Sequence, residues 1–303
     1  MRKTMVALAV VGMMGAAYAA PAKSKLDTAR IEQLTGLKGQ LNEKEGVFKV
    51  SMPRADLKVA AGKVKITPPL GLTAWAAFQD AHGKTMVMGD MVMTEDQVNP
   101  VMSAALDSGL EVTALHNHFF GDSPKIMFMH IGGMGPTEKI AAAVGKVFST
   151  IRDTEGEKQP VAGGRTGGFP TADIDPAKTS LAPEKIEAVL GQKGELAKGV
   201  YKVVFGRTTK MHGVEVGNAM GINTWAAFAG SDEQAVVDGD FVMTEGELQG
   251  VLKALRGADI NIVAIHNHMI MDNPRLMFLH YWGIGATTDL AKGLKAALAT
   301  QKH

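Results

Sequence analysis

Six of the nine histidines of this chain sit in two short stretches of the same design. The first reads Leu115-His116-Asn117-His118, a link centred on Asp122-Ser123-Pro124, then Ile126-Met127-Phe128-Met129-His130. The second reads Ile265-His266-Asn267-His268, a link centred on Asp272-Asn273-Pro274, then Leu276-Met277-Phe278-Leu279-His280. Each histidine recurs 150 positions later. In a strand, residues two apart face the same side, so His116 and His118 point together and Asn117 points away. A hairpin symmetric about Ser123 sets His116 opposite His130, and symmetry about Asn273 sets His266 opposite His280. Directly opposed Cβ atoms are about 4.5–5.5 Å apart. Three imidazoles then converge in each repeat. Three nitrogen ligands beside an open position is the arrangement of catalytic zinc sites, and imidazole also suits copper, iron and nickel.

The expected metal ligands are therefore His116, His118 and His130 in one repeat, and His266, His268 and His280 in the other. The expected cofactor is a divalent transition metal, zinc or copper. Two other roles fit the same residues. They could be core histidines bonded to carbonyls, or a general base with an orienting partner and no metal. The letters His-Asn-His do not make a nuclease motif of the HNH type. There the three residues lie far apart in sequence, and this chain offers no basic DNA-binding surface.

Four carboxylates are candidate bases for a metal-dependent hydrolase. Asp90 and Asp240 each follow a glycine at a strand bend, where they either orient an imidazole or serve the turn. Glu95 and Glu245 stand in the first turn of capped helices, where the helix dipole alone accounts for a carboxylate. Asp122 and Asp272 precede the link proline and read as turn residues. Lys125 and Arg275 follow that proline and could hold an anionic substrate near the histidines. Methionine is abundant, with 19 copies, and thioethers beside imidazoles suit copper(I). Most of these methionines alternate along strands or sit on helices, where Met fills core gaps. Trp75 and Trp225 read as core anchors.

The elements that must carry these side chains are themselves repeated. Trp75-Ala76-Ala77-Phe78 returns as Trp225-Ala226-Ala227-Phe228, and Gly89-Asp90-Met91-Val92-Met93-Thr94-Glu95 returns as Gly239-Asp240-Phe241-Val242-Met243-Thr244-Glu245. Upstream, Val47-Phe48-Lys49-Val50 matches Val200-Tyr201-Lys202-Val203. Copies this long mean duplicated domains and not a solenoid. Each copy opens with a short helix bearing Ile31 and Leu34, or Ile186, Val189 and Leu190. Three extended runs follow, 46–52, 63–78 with a break at Pro68-Pro69, and 84–93. Thr94 to Gln97 and Thr244 to Glu247 are capping boxes. They open amphipathic helices that end at Gly109 and Gly257. The histidine stretch and a last helix complete each copy. The fold class expected is α+β: two tandem domains, each a mostly antiparallel sheet with helices packed on one face.

Residues 1–19 read as a signal peptide, with Arg2 and Lys3, an apolar run too short to span a bilayer, and an Ala17-Tyr18-Ala19 cleavage site. Residues 20–152 form the first repeat domain, 153–179 a Gly/Pro-rich linker and 180–303 the second. A soluble periplasmic protein cut after Ala19 is expected. No later segment is apolar enough to cross a membrane. The 303 residues carry a formal net charge of +1, so nothing argues for a nucleic-acid partner. With no cysteine there is no disulfide, thiolate metal site or cysteine nucleophile.

The pattern Gly-Asp-x-Val-Met-Thr-Glu, helix, Ala-x-His-Asn-His, then Met-Phe-x-His, resembles the LppY/LpqO family of exported bacterial proteins, over essentially the whole mature chain and in both copies. The resemblance implies a duplicated architecture and export, and no particular activity. The lipid anchor of some members needs a cysteine that this chain lacks. From the residues, the leading function is metal binding through a tri-histidine site in each repeat. The alternatives are a metal-dependent hydrolase using the same histidines, and a non-metal module that binds a small anionic molecule.

Overall fold

The computed structural model describes residues 26–154 and 171–301. The expected signal peptide, most of the linker and His303 lie outside them. The first copy runs α1 (Thr28–Thr35), β1 (Gly39–Asn42), β2 (Val47–Pro53), β3 (Val59–Ala61), β4 (Val64–Ile66), β5 (Thr73–Ala81), β6 (Lys84–Thr94), α2 (Val98–Asp107), β7 (Glu111–His116), β8 (Asp122–Ser123), β9 (Ile126–Gly135) and α3 (Thr137–Asp153). The second runs α4 (Pro183–Leu190), β10 (Glu195–Ala197), β11 (Val200–Gly206), β12 (Thr209–Met211), β13 (Val214–Val216), β14 (Asn223–Gly230), β15 (Ala235–Thr244), α5 (Leu248–Gly257), β16 (Asn261–His266), β17 (Asp272–Asn273), β18 (Leu276–Gly285) and α6 (Thr287–Leu298).

Each copy builds a six-stranded antiparallel sheet, ordered β1-β2-β5-β6-β9-β7 and β10-β11-β14-β15-β18-β16. The α+β expectation holds. Strand parity decides what each face meets. On the outer face of the first sheet, Val87, Met91, Met93, Met129 and Ile131 pack with Ile140, Val144, Val147 and Phe148 of α3. The inner faces of the two sheets pack on each other. Met86 and Met88 join Met220, Met269 and Phe278 there, and Ala227, Val236 and Trp282 join the first copy's core. The order of layers is helices, sheet, sheet, helices, and the histidines lie between the sheets.

The expected hairpin is where the structure departs from the sequence reading. β7 and β9 are antiparallel neighbours, but His116 pairs with Phe128, and His130 pairs with Ala114. The second copy repeats this, His266 with Phe278 and His280 with Ala264. The expected opposition of His116 to His130, and of His266 to His280, is therefore wrong by two residues. The link is not a hairpin loop. Its residues Asp122 and Ser123 leave the sheet and pair with Ala61 and Ala60 of β3 in a small separate sheet, and a bulge interrupts β7 between Val112 and Ala114. Because the slip is even, every side chain keeps its face.

The helices that cover the outer faces are set at short range. A Cβ on Gly145 of α3 would lie 2.1 Å from the Leu34 carbonyl oxygen of α1. At the equivalent place in the second copy, Lys295 reaches the Leu190 carbonyl of α4 at 3.0 Å instead. Gly145→Ala should therefore lower the urea midpoint, even though alanine favours a helix interior by about 1 kcal/mol. Overpacking of this kind costs about 1–3 kcal/mol. A raised midpoint would mean that α1 does not dock against α3 here.

Candidate functional site

The row across each sheet that carries the chemistry is short. Trp75, Asp90 and His130 are directly paired neighbours on β5, β6 and β9. Trp225, Asp240 and His280 repeat them on β14, β15 and β18. His116 and His266 stand one step along the same face, and His118 and His268 follow in the bend after the strand. Because the two inner faces meet, the six imidazoles form one cluster. His116 stacks on His266 with centroids 4.0 Å apart. Around that pair the distances repeat: 4.9 Å for His116–His130 against 4.8 Å for His266–His280. His118 lies 3.5 Å from His280, and His268 lies 4.1 Å from His130. A pseudo-two-fold axis passes between His116 and His266.

The sequence gives three histidines per repeat without deciding whether the two sets lie apart, and the structure brings them together. Three groups of side chains are arranged as could hold a metal ion: His116, His130 and His266; His116, His118 and His280; and Asp240, His266 and His268. The first two draw on both repeats. Within each group the ligand atoms lie within 4.8 Å of one another. Tetrahedral zinc with bonds of about 2.05 Å would set nitrogens roughly 3.3 Å apart, so small side-chain rotations close the gap.

The ring orientations are fixed from behind. Nδ1 of His130 lies 3.2 Å from the Gly89 carbonyl, and Nδ1 of His280 lies 3.2 Å from that of Gly239. A carbonyl only accepts, so Nδ1 carries the proton and Nε2 presents a lone pair to the centre. The His118 ring is held flat on Phe128 at 3.3 Å, and the His268 ring on Phe278 at 3.5 Å. Each of the six rings keeps at least one buried nitrogen with no hydrogen-bond partner in the chain. Nε2 of His268 lies 2.9 Å from Asp240 Oδ2, yet not in line for a hydrogen bond. The corresponding distance from His118 to Asp90 is 3.8 Å.

Burial sets the charge states. It holds His116, His118, His130, His266 and His280 well below the usual imidazole range, with neighbouring imidazoles reinforcing it. Burial takes His268 down to about 3, against the opposing Gly221 carbonyl. All six are neutral near pH 7, which is the form that binds metal. Burial pushes Asp90, Asp238 and Asp240 well above the carboxylate range, while nearby lysines pull the other way.

A cleft of about 370 Å³ opens onto this centre. His118, His130, His268, His280, Asp90 and Asp240 line it. So do four residues the sequence reading did not assign to the site: Lys49, Lys202, Trp75 and Trp225. The ammonium of Lys49 sits 3.8 Å from the Trp75 ring centroid, and that of Lys202 sits 4.1 Å from Trp225. The two tryptophans are half-buried walls and not the buried core anchors expected. The signal for the lysines was present: a lysine recurs at one place in both copies, inside an otherwise apolar strand. Asp238, fully buried two residues before Asp240, has no acidic counterpart in the first copy, where Met88 stands.

Glu95 and Glu245 do not join the site. Both are exposed, and Glu245 faces Arg275 at 3.8 Å. Their helix-end position accounts for them, and the candidate carboxylates reduce to Asp90 and Asp240. Lys125 and Arg275 are also elsewhere: Lys125 bonds Asp122 at 2.8 Å, and neither lines the cleft. Asp122 and Asp272 accept from the Ile126 and Leu276 amides, as turn residues do.

The family described as Domain of Unknown Function (DUF1259) matches residues 29–150 and again 184–300. The chain belongs to this family. The two matches coincide with the two structural copies, so this is a DUF1259 chain of duplicated units. No curated protein matches it. Among solved structures, a trimeric bacterial microcompartment shell protein, PduB, is similar at 11% identity and a TM-score of 0.21. The likeness covers 86% of this chain and 89% of that one. A likeness that slight carries no argument. Among the described residues, no helix is long and apolar enough to cross a membrane.

The buried imidazoles make the metal-free protein sensitive to acid. They are neutral in the fold and take up protons on unfolding near pH 6.5. Folded values below the unfolded one mean that stability is full above that pH and is lost as pH falls. Asp90, Asp238 and Asp240 act in the opposite sense, but six groups outweigh three. Each unbalanced proton is worth about 1.4 kcal/mol per pH unit. The melting temperature of chelator-treated protein should fall as pH drops from about 6.5 to about 5, where the unfolded chain takes up most of its imidazole protons. A flat profile would mean that the histidines are solvated in the fold.

Proposed function

We propose that this protein binds a divalent transition metal at the composite histidine centre, and that it does so in the periplasm after cleavage behind Ala19. One observation carries the reading. Every imidazole of the cluster buries a ring nitrogen that has no partner in the chain. A buried unsatisfied polar group costs about 1–3 kcal/mol. Six such groups approach the whole stability of a domain, about 5–15 kcal/mol. A metal ion satisfies several at once, because nitrogens of three side chains lie within 4.8 Å of one another.

The donor set favours zinc, or copper as copper(II), over copper(I). The metal-capable groups consist of imidazole and carboxylate, and no methionine lines the cleft, although Met86, Met88, Met220 and Met269 pack between the sheets. The resemblance to the exported LppY/LpqO family supports the location. On this reading the mature chain divides into domains 20–152 and 180–303, joined by the linker 153–179.

A second reading, a metal-dependent hydrolase, is favoured by the cleft itself. A storage site has no need of an opening onto the ligands, whereas a catalytic one keeps an open position. Bound metal lowers the pKa of water toward neutrality. Asp90 or Asp240, returned to the ionised form by the charge of a bound metal, would be placed to take the proton.

His116→Ala/His266→Ala removes a ligand from all three groups. Protein purified without an affinity tag should contain stoichiometric zinc or copper, and the double variant only background metal. Added zinc should raise the melting temperature of wild type alone. Wild type with neither bound metal nor a thermal gain refutes the reading, as does a double variant that keeps its metal. Hydrolysis of an activated ester, lost in Asp90→Asn/Asp240→Asn with metal content intact, would select the hydrolase.

A further inference from the structure

Lys49 and Lys202 are hard to explain as parts of a metal site alone. They enter the same cleft from the edge side of the two sheets, related by the pseudo-two-fold axis. Among the described residues neither ammonium group makes an ion pair or a hydrogen bond. Each ammonium instead rests on an indole face, 3.8 Å and 4.1 Å from the centroids. A cation over a tryptophan face gains about 0.5–2 kcal/mol and a fixed direction, without the direct ion pair that a carboxylate would give.

Two like charges confined in one low-dielectric cleft repel. The effect shows in Lys49, which burial first and Lys202 second bring down to about 8. Asp90 acts on Lys49 through space, and Asp238 and Asp240 act on Lys202, but none of the three bonds an ammonium group; Asp90 and Asp240 lie on the centre's side of the cleft, beside His118 and His268. Glu195 is exposed at the rim and makes no ion pair with either lysine. A divalent ion at the histidines would add positive charge to walls that already carry two ammonium groups.

The other walls are of two kinds. Pro68, Pro69, Val200 and the two indoles are apolar, while Ser51, Thr73 and Asn223 offer hydrogen bonds. A volume of about 370 Å³ is at the lower end for a small-molecule site. We propose that the cleft binds a small organic anion through carboxylate or phosphate-type oxygens held between Lys49 and Lys202, with its apolar part against the prolines and indoles. An oxygen of the same ligand reaches the metal, and that last contact alone rests on the metal-binding reading. The cleft is thereby a recognition site in its own right, and the ligand's charge completes that of the metal centre.

Trp75 and Trp225 make two of the chain's three tryptophans, so the cleft has a built-in reporter. The full mature chain, metal-loaded and chelator-treated, is titrated with benzoate, succinate and phenylphosphonate. Tryptophan emission and calorimetry are the readouts, and metal content is measured alongside. Saturable binding of at least one probe is expected, weakened roughly tenfold or more by Lys49→Gln and by Lys202→Gln, because each removes a charge-assisted bond. Lys49→Arg should retain most of the affinity, and all three variants should keep the wild-type metal content.

Preference for phosphonate or for carboxylate identifies the oxygen group, and either supports the proposal. No saturable binding by any probe to the loaded protein overturns it, and so does binding that both glutamine variants leave unchanged. If the protein takes up no metal yet binds a probe in a lysine-dependent way, the metal reading fails and the anion site stands.

Discussion

The interaction on which this fold depends is the meeting of neutral imidazoles between two sheets. Six rings lie in one buried cluster, with His116 stacked on His266 at 4.0 Å. Charged, they would repel at these distances in a medium that screens poorly. Burial keeps them neutral, and neutrality permits the packing. Both depend on the packing of the inner faces, while α1 to α3 and α4 to α6 cover the apolar outer faces and so hold each sheet together. The helices do not touch the centre. They act on it by holding the sheets that set the register of Asp90 with His130 and of Asp240 with His280.

Duplication makes the centre possible in a simple way. One copy supplies three imidazoles beside a buried aspartate and a lysine on one sheet face, too polar a set to bury alone. Two copies packed face to face enclose each other's histidines, and two of the three metal-capable groups then mix residues of both. The link residues are part of the device. By pairing with β3 and β12, β8 and β17 draw the chain off the hairpin axis, which leaves His118 and His268 free to turn inward over Phe128 and Phe278.

Much of this was legible in the sequence. Alternation put His116 and His118 on one face with His130, and the repeat announced two like domains. The sheets, the capped helices and the outward methionines such as Met129 follow from period and parity. The register did not, because the bulge at Val112 and the pairing of Ser123 with Ala60 are tertiary events that no local pattern encodes. Their effect was limited by parity, since a slip of two changes partners and preserves faces. The joining of two triplets into one cluster was hidden for a different reason. A repeat fixes that two faces are alike, but not that they turn toward each other. Lys49 was overlooked because a single lysine in a strand ordinarily reaches water, and only its place beneath the opposite copy makes it a wall.

The symmetry stops at the backbone. Asp238 stands where the first copy has Met88, and it shares a face with Asp240 and a cross-strand row with Ala227 and Lys202. Both of its oxygens are buried without partners in the chain. His268 is drawn to 2.9 Å from Asp240, while His118 stays 3.8 Å from Asp90. Among the described residues, the one metal-capable group that includes a carboxylate lies on that same side. Two halves with one fold thus present unequal fields to anything bound between them. Asp238 and Asp240 stand on the side of the second copy and Asp90 alone on that of the first, so the centre is symmetric in shape and unequal in its ionisable groups.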